Sequence, residues 1–408
     1  MILRILKNVF KFSYNFESLK ISEKMCDSPN VLKKPRYDGR TKKRKWEERR
    51  TDNGEAFETK KEKNEERIKR RKYALLLGYS GVDYYGMQRN PTMKTIEEEL
   101  FKVLLTTDLI NEEAFNQIQT IHYQRAARTD KGVSAARQVV SIKLPEVIQI
   151  DKINSLLPEV IRVFGYKRVT KGFNSRLQCD ARTYLYMLPT IAFSKFTDDV
   201  TQENFRLGES SLEEINKSLI RFVGTKNYHN FTSKKKANDP SANRYIMNFC
   251  CEPPFVRNNI EFAVIKVKGQ SFMLHQIRKM VGLTIAIIKG HASEEIFQKV
   301  FTTEDVNIPK APGLGLVLDF VHYDKYNRRY GQDGIHDTLE WKELDDIVEE
   351  FKQKYIYPTI IDTEIKESSM VNWLRKLSGH RYDAFDDDKN NEENSYSDDE
   401  ENVNAAKV

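Results

Sequence analysis

The pattern of apolar and polar positions divides this chain into an ordered middle and two polar ends. Residues 73–79, Tyr-Ala-Leu-Leu-Leu-Gly-Tyr, form an apolar run closed by Ser80-Gly81, which predicts a buried strand and its turn. Over 94–106, Ile96, Leu100, Val103 and Leu104 recur at helical spacing, so a helix with one packed face is expected there. Further strands are predicted at 138–144, 161–169, 182–189 and 260–267; the third is rich in Tyr and Leu, as a half-buried strand is. A short helical piece is expected at 154–158 and a helix at 212–222. A long apolar helix at 272–288 is interrupted by His275, Arg278 and Lys279. One more strand is expected to lead into the stretch 125–137. Two strand-helix-strand sets in mixed order predict an α+β fold.

The ends read differently. Residues 33–72 are nearly all charge, with Lys42-Lys43-Arg44-Lys45 as one block and 67–72 as another. Such runs cannot bury enough apolar surface to fold, so 25–71 is expected to be a disordered basic arm. The block at 42–45 fits a nuclear-import patch and both blocks fit contact with RNA phosphates, while a solvated linker that does neither fits them as well. Residues 1–24 mix Arg4, Lys7, Lys11 and Lys20 with Ile2, Leu3, Ile5, Leu6, Val9, Phe10 and Phe12. That is the pattern of a mitochondrial presequence, against which Glu17 and Glu23 count; a leader without an address fits too, and Met25 offers a second start. Trp341 and Trp373 give the stretch 331–380 something to bury, so it is expected to pack on the core as an extension. The tail 381–408, dominated by Asp, Glu and Asn between 386 and 401, is expected to be disordered. It serves solubility, or competes with RNA for basic surface.

Composition narrows the class. Of 408 residues, 39% are hydrophobic and 31% charged, and no apolar run approaches the length of a membrane span. The net charge of +7 permits a polyanionic partner, and the acidic tail masks part of the basic charge of the middle. Cys26, Cys179, Cys250 and Cys251 show neither metal-ligand spacing nor a disulfide framework. They suggest a reducing compartment, with Cys179 and the Cys250-Cys251 pair as packing residues.

The stretch 125–137, Arg-Ala-Ala-Arg-Thr-Asp-Lys-Gly-Val-Ser-Ala-Ala-Arg, carries the candidate chemistry. It sets Asp130 between Arg128 and Lys131 and follows them with Gly132, where the backbone can bend. A carboxylate at a bend, held ionised by a neighbouring guanidinium, can act as a nucleophile or a base. The same residues also read as a polar turn with a surface ion pair.

The run Arg128-Thr129-Asp130-Lys131-Gly132-Val133 resembles the catalytic loop of the TruA-type pseudouridine synthases, Arg-Thr-Asp-x-Gly-Val. Other stretches resemble that family in the same order. They are Tyr79-Ser80-Gly81-Val82-Asp83-Tyr84-Tyr85-Gly86-Met87-Gln88-Arg89, Phe173-Asn174-Ser175-Arg176, Ala181-Arg182-Thr183-Tyr184-Leu185-Tyr186, the run 269–282 and Ala311-Pro312-Gly313-Leu314-Gly315-Leu316. The wording of the last two, and of 224–232, is similar to a eukaryotic branch. The resemblance covers roughly residues 72–372.

It implies a pseudouridine synthase fold: two related α/β halves, 72–172 and 173–330, sharing a central, mainly antiparallel sheet with a basic RNA-binding cleft. It implies isomerisation of specific uridines in tRNA, in the anticodon stem and loop, with other RNAs such as mRNA and snRNA as further substrates. No cofactor or metal is implied, and the partner is tRNA, bound by a monomer in the nucleus, with a mitochondrial share through residues 1–24. Asp130 would be catalytic, Arg278 would pair with it and Tyr184 would lie over the flipped uracil. Arg128, Lys131, Arg182, His275 and Lys279 would bind or position RNA. The chain departs from the family at Arg137, where many members have Gly, and at Ser80 and Met87, where the bacterial form has Asp and Trp. Arg137 would add a phosphate contact or face solvent. Two other classes stay open: an RNA-binding protein of this fold without catalysis, and a nuclear coregulator acting through protein contacts.

Overall fold

A computed structural model describes residues 69–195, 201–233 and 235–383. The expected presequence, nearly all of the basic arm and nearly all of the acidic tail lie outside these residues. The first element among the described residues is β1, Arg70–Tyr79, which begins three residues before the apolar run. Leu75, Leu76 and Leu77 are all fully buried, so both faces of this strand are covered, which is why its sequence is unbroken rather than alternating.

Among the described residues the strands form one ten-stranded sheet. After β1 come β2 (Gln124–Arg125), β3 (Ser134–Pro145), β4 (Ile161–Arg168), β5 (Ala181–Pro189) and β6 (Gly224–Asn227). Then follow β7 (Asn243–Cys251), β8 (Phe255–Arg257), β9 (Ile260–Gly269) and β10 (Leu316–His322). The order is β4-β1-β3-β10-β5-β9-β7-β6, with β2 on β3 and β8 on β9. Neighbours run antiparallel except at one seam, where β10 pairs in parallel with β3 through Val317 and Leu318 opposite Ser134 and Ala135. This is a mixed α and β protein built on one large, mostly antiparallel sheet.

The helix α1, Ile96–Thr106, opens at Thr95, whose side chain accepts the Glu98 amide, and carries Glu97, Glu98 and Glu99 in its first turn. Its expected apolar stripe is buried. The short helix expected at 154–158 is α2, Ile150–Leu156, displaced toward the N-terminus. The helix α3 spans Glu209–Ile220. The long apolar helix is α4, Gln276–Ile288, and it begins four residues later than its hydrophobicity suggests. His275 has φ 61°, a left-handed backbone that cannot continue a helix, so 272–275 form a bend instead. Almost every residue of α4 is buried, as in a helix enclosed on all sides. A methyl on Gly282 would lie 2.1 Å from the Pro309 carbonyl oxygen, so glycine is needed for the 309–315 segment to pass this close to α4.

Beyond β10 the chain adds α5 (Asp345–Phe351), α6 (Tyr357–Glu367) and α7 (Ser369–Leu377). Trp341 is fully buried, with the Lys167 ammonium 4.8 Å from its ring centre, and Phe351 packs edge-on to Phe164 of β4 at 5.4 Å. Arg137 neither faces solvent nor reaches outward for a phosphate: its guanidinium donates to Asp345 at 2.9 Å and sits 3.7 Å from Asp319 of β10. Cys179 and Cys250 are half-buried, Cys251 is buried, and all three are free thiols. Trp341→Ala should lower stability by about 3–5 kcal/mol through the cavity it leaves, read as a lower urea midpoint with an unchanged slope.

Candidate active site

The loop between β2 and β3 is fixed at its base before it presents any chemistry. Arg125 donates through Nη2 to Glu97 Oε2 at 2.9 Å, and Glu97, wholly buried on α1, also accepts the Arg89 amide at 2.8 Å. The Gln138 side chain closes the loop across its neck: Oε1 accepts from the Ala127 amide at 3.3 Å and Nε2 donates to the Ala127 carbonyl at 2.7 Å. Arg182 of β5 donates to the Ala126 carbonyl through Nη2 at 2.5 Å and to the Gln270 carbonyl through Nη1 at 3.3 Å. Arg182, expected to bind or position RNA, spans the loop backbone and the segment after β9.

The segment after β1 braces the tip. The Met87 amide donates to the Thr129 carbonyl at 3.1 Å, the Gly132 amide to the Tyr84 carbonyl at 3.1 Å, and the Gly81 amide to Ser134 Oγ at 3.0 Å. Thr129 is buried with its hydroxyl 2.8 Å from that of Tyr79. Asp130 opens a tight turn closed by the Val133 amide donating to the Asp130 carbonyl at 3.1 Å. Gly132 occupies its third position at φ 77°, where a side chain would be strained.

Asp130 is exposed to solvent, yet the protein around it desolvates the carboxyl and raises its pKa above the ordinary carboxylate value. Arg278, then Lys310 and Arg128, oppose that rise by favouring the anion. Arg278, in the first turn of α4, donates through Nε to the Ala311 carbonyl at 2.8 Å, while the Ala311 amide donates to the Arg278 carbonyl at 3.2 Å. Helix and 309–315 segment therefore position Arg278 and Lys310 as one unit. Tyr184 of β5 is buried, packed edge-on to Phe272 at 5.3 Å between ring centres. Burial pushes its hydroxyl up to about 12; Arg182 opposes the shift, and the negative charge of Asp130 adds to it.

The charge of Arg278, from a helix, thus acts on Asp130, on a loop, and the charge of Asp130 acts on Tyr184, on a strand. The other expected positions divide. Arg128 is exposed beside Asp130, and Lys131 places its ammonium 4.4 Å from the ring centre of Tyr85. His275 lies at the start of α4, not within it, and burial followed by Lys310, Arg278 and Lys279 pulls its pKa down to about 3, so the imidazole is neutral at physiological pH. Lys279 is not at the surface: it is buried and donates to the Asn230 carbonyl at 3.2 Å, joining α4 to the 229–231 turn. Lys310 was missed by sequence reasoning; its signal was only its place just before Ala311-Pro312-Gly313. Among the described residues no cluster of three or more His, Cys, Asp or Glu could hold a metal ion, and no helix is long and apolar enough to cross a membrane.

A partly desolvated carboxylate in the field of an arginine and further cations, itself acting on a buried tyrosine, is equipment suited to nucleophilic or general-base chemistry on an anionic substrate. Residues 219–324 match the tRNA pseudouridine synthase family. The pseudouridylate synthase 1 homolog of Mus musculus is 52% identical over 320 residues, covering 78% of this chain and 76% of that protein. That of Homo sapiens is 53% identical over 314 residues, with 76% and 74% covered, and the tRNA pseudouridine synthase 1 of Kluyveromyces lactis is 33% identical over 385 residues, with 74% and 69% covered. The chain belongs to the tRNA pseudouridine synthase family.

Arg278 favours the anionic form of Asp130, so Arg278→Ala should raise the carboxyl pKa further and move the acid limb of the pH–rate profile upward. Its loss of activity should be greatest at low pH and recover in part as pH rises. Arg278→Lys should lie between, because an ammonium supplies charge without the planar fork. Single-turnover rates across pH check this; equal losses at every pH would reduce Arg278 to a positioning residue.

Proposed function

We propose that this protein isomerises uridines in tRNA to pseudouridine with Asp130 as the catalytic carboxylate. The observation that carries this reading is the placement of Asp130 at the tip of a loop braced from β1, α1 and β5, within the field of Arg278 and close enough to Tyr184 to perturb it. The reaction breaks the N1 to C1′ bond, turns the uracil and joins C5 to C1′; the C5 proton is lost and N1 regains one, so the atoms of the base are conserved. Asp130 assists by attack on the sugar or base, or by removing a sugar proton, and both routes require its anion. Arg278 maintains that anion and aims it. Tyr184 lies over the flipped uracil and takes part in removing the C5 proton.

The target base must leave its stack, at a cost of a few kcal/mol, so contacts to neighbouring phosphates and bases have to offset it. The reading includes a basic cleft between two related halves, 72–172 and 173–330, with the extension 331–380 packed on the core. The parallel seam between β3 and β10 supports it, because the sheet's antiparallel pattern is interrupted there, beside the end of the loop that bears Asp130. Arg128, Lys131, Lys310 and His275 are the groups at the mouth of that cleft. The protein acts as a monomer, with anticodon stem and loop uridines as first targets and mRNA and snRNA as further substrates. The basic block at 42–45 and the amphipathic start support a nuclear location with a mitochondrial share.

Tritium release from tRNA carrying uridine labelled at C5 tests the proposal directly. Asp130→Ala should reduce release to below about a hundredth of wild type while tRNA binding stays within a few-fold, because the side chain acts in the chemical step. Turnover above that level would remove Asp130 from its role. Affinity for tRNA should fall steeply with salt, as several phosphate contacts released together do, and a flat response would locate RNA binding elsewhere.

A further inference from the structure

Tyr84 and Tyr85 are adjacent, but the fold treats them in opposite ways. Tyr84 is buried at 2% exposure, and its carbonyl accepts the Gly132 amide at 3.1 Å. Tyr85 keeps 49% of its surface exposed. A single exposed aromatic residue needs no explanation. This one differs in its attachments. Its amide donates to the Lys94 carbonyl at 2.9 Å, and two residues on, the Met87 amide donates to the Thr129 carbonyl at 3.1 Å. The backbone on both sides of Tyr85 is thus hydrogen-bonded to residues flanking Asp130 in the loop. Its ring, in turn, has the ammonium of Lys131 at 4.4 Å, and Lys131 follows Asp130 directly.

We propose that Tyr85 and Lys131 form a stacking subsite for the nucleotide next to the target uridine, the ring taking the base and the ammonium the linking phosphate. Lys131 follows Asp130 directly, and the backbone flanking Tyr85 is bonded to Thr129 and Gly132, so ring and carboxyl belong to the same loop tip. Aromatic rings accept any base face, while a lysine supplies a mobile point charge suited to phosphate. The subsite explains how a strand stays in place once the uridine has been turned out: the neighbour exchanges its stack on that uridine for a stack on Tyr85. The subsite holds RNA and does not touch the reacting atoms, so Tyr85 is a positioning residue. This inference rests on the proposed activity on RNA.

The test uses the full chain and three substrates: an intact tRNA, the same tRNA without the base on the 5′ side of the target, and one without the base on the 3′ side. Wild type should lose about tenfold in kcat/KM on one of the two abasic RNAs, the size of one base–aromatic stack. Tyr85→Ala should lose about tenfold on intact tRNA but nothing further on that abasic RNA, and Tyr85→Phe should behave as wild type on all three. Wild-type indifference to both missing bases overturns the proposal, as does an equal loss by Tyr85→Ala on every RNA, which would mark a purely structural residue. If Tyr85→Ala does not fold, the wild-type comparison decides alone. Kd values are measured on the same set, so the absence of turnover on intact tRNA would defeat the proposed activity without removing the readout for the subsite.

Discussion

The electrostatics of the candidate site turn on a carboxylate pulled two ways. Desolvation raises the pKa of Asp130, while Arg278, Lys310 and Arg128 draw it back. Without the surrounding protein the cations would act on a well-hydrated carboxylate; without the cations desolvation alone would raise its pKa further. The opposing groups come from different parts of the chain: Arg278 from α4, Lys310 from the segment before β10, Arg128 from the loop itself. The protonation state of Asp130 is therefore a property of how those pieces are docked. The docking is tight, with Gly282 admitting the Pro309 carbonyl to the helix surface and Tyr186 of β5 donating its hydroxyl to the Pro312 carbonyl at 2.6 Å.

The same positive field acts in the opposite sense on a base. At His275, Lys310, Arg278 and Lys279 add to burial and push the imidazole away from protonation, to about 3. The histidine therefore offers the site a neutral hydrogen-bonding group at physiological pH and no acidic proton to lose there. Its left-handed backbone, which costs a residue with a side chain about 1–2 kcal/mol, marks the start of α4, so that Arg278 falls in the helix's first turn.

Much of this was legible from residue order. The run at β1 and the stripe on α1 announce themselves because burial imposes a period, and the loop motif marks Asp130 whatever its surroundings. What escaped shares a physical cause. β10, Leu-Val-Leu-Asp-Phe-Val-His, sits at the centre of the sheet but contains a buried carboxylate and follows a glycine-rich turn, so it did not read as a strand. β7, Asn-Arg-Tyr-Ile-Met-Asn-Phe-Cys-Cys, alternates only in part, since it lies near an edge. On a helix enclosed all round, spacing does not distinguish a cation acting on the loop from one turned inward. Arg278, expected to pair with Asp130, exerts its charge on that carboxyl, whereas Lys279, expected to bind or position RNA, is buried against Asn230. Lys310, exposed and outside any periodic element, had no pattern to reveal it.

Arg137 shows how far the site's support extends. The register of β10 against β5 shifts between Leu318 and Phe320, opposite Tyr184 and Thr183, so Asp319 is the irregular residue beside the site tyrosine. Its carboxylate lies 3.7 Å from Arg137 of β3 and 3.4 Å from Lys352 in the C-terminal extension. Burial opposes the charge of Lys352, but Asp319, Tyr357 and Glu349 outweigh it and raise the ammonium pKa. Removing Asp319 would leave Arg137 and Lys352 short of countercharge in a place where water cannot replace it. A shift of one residue in β10 would then turn its alternate side chains to the wrong face and disturb the strand that carries Tyr184. The extension, through Lys352 and Asp345, therefore stabilises the register on which the placement of Tyr184 relies.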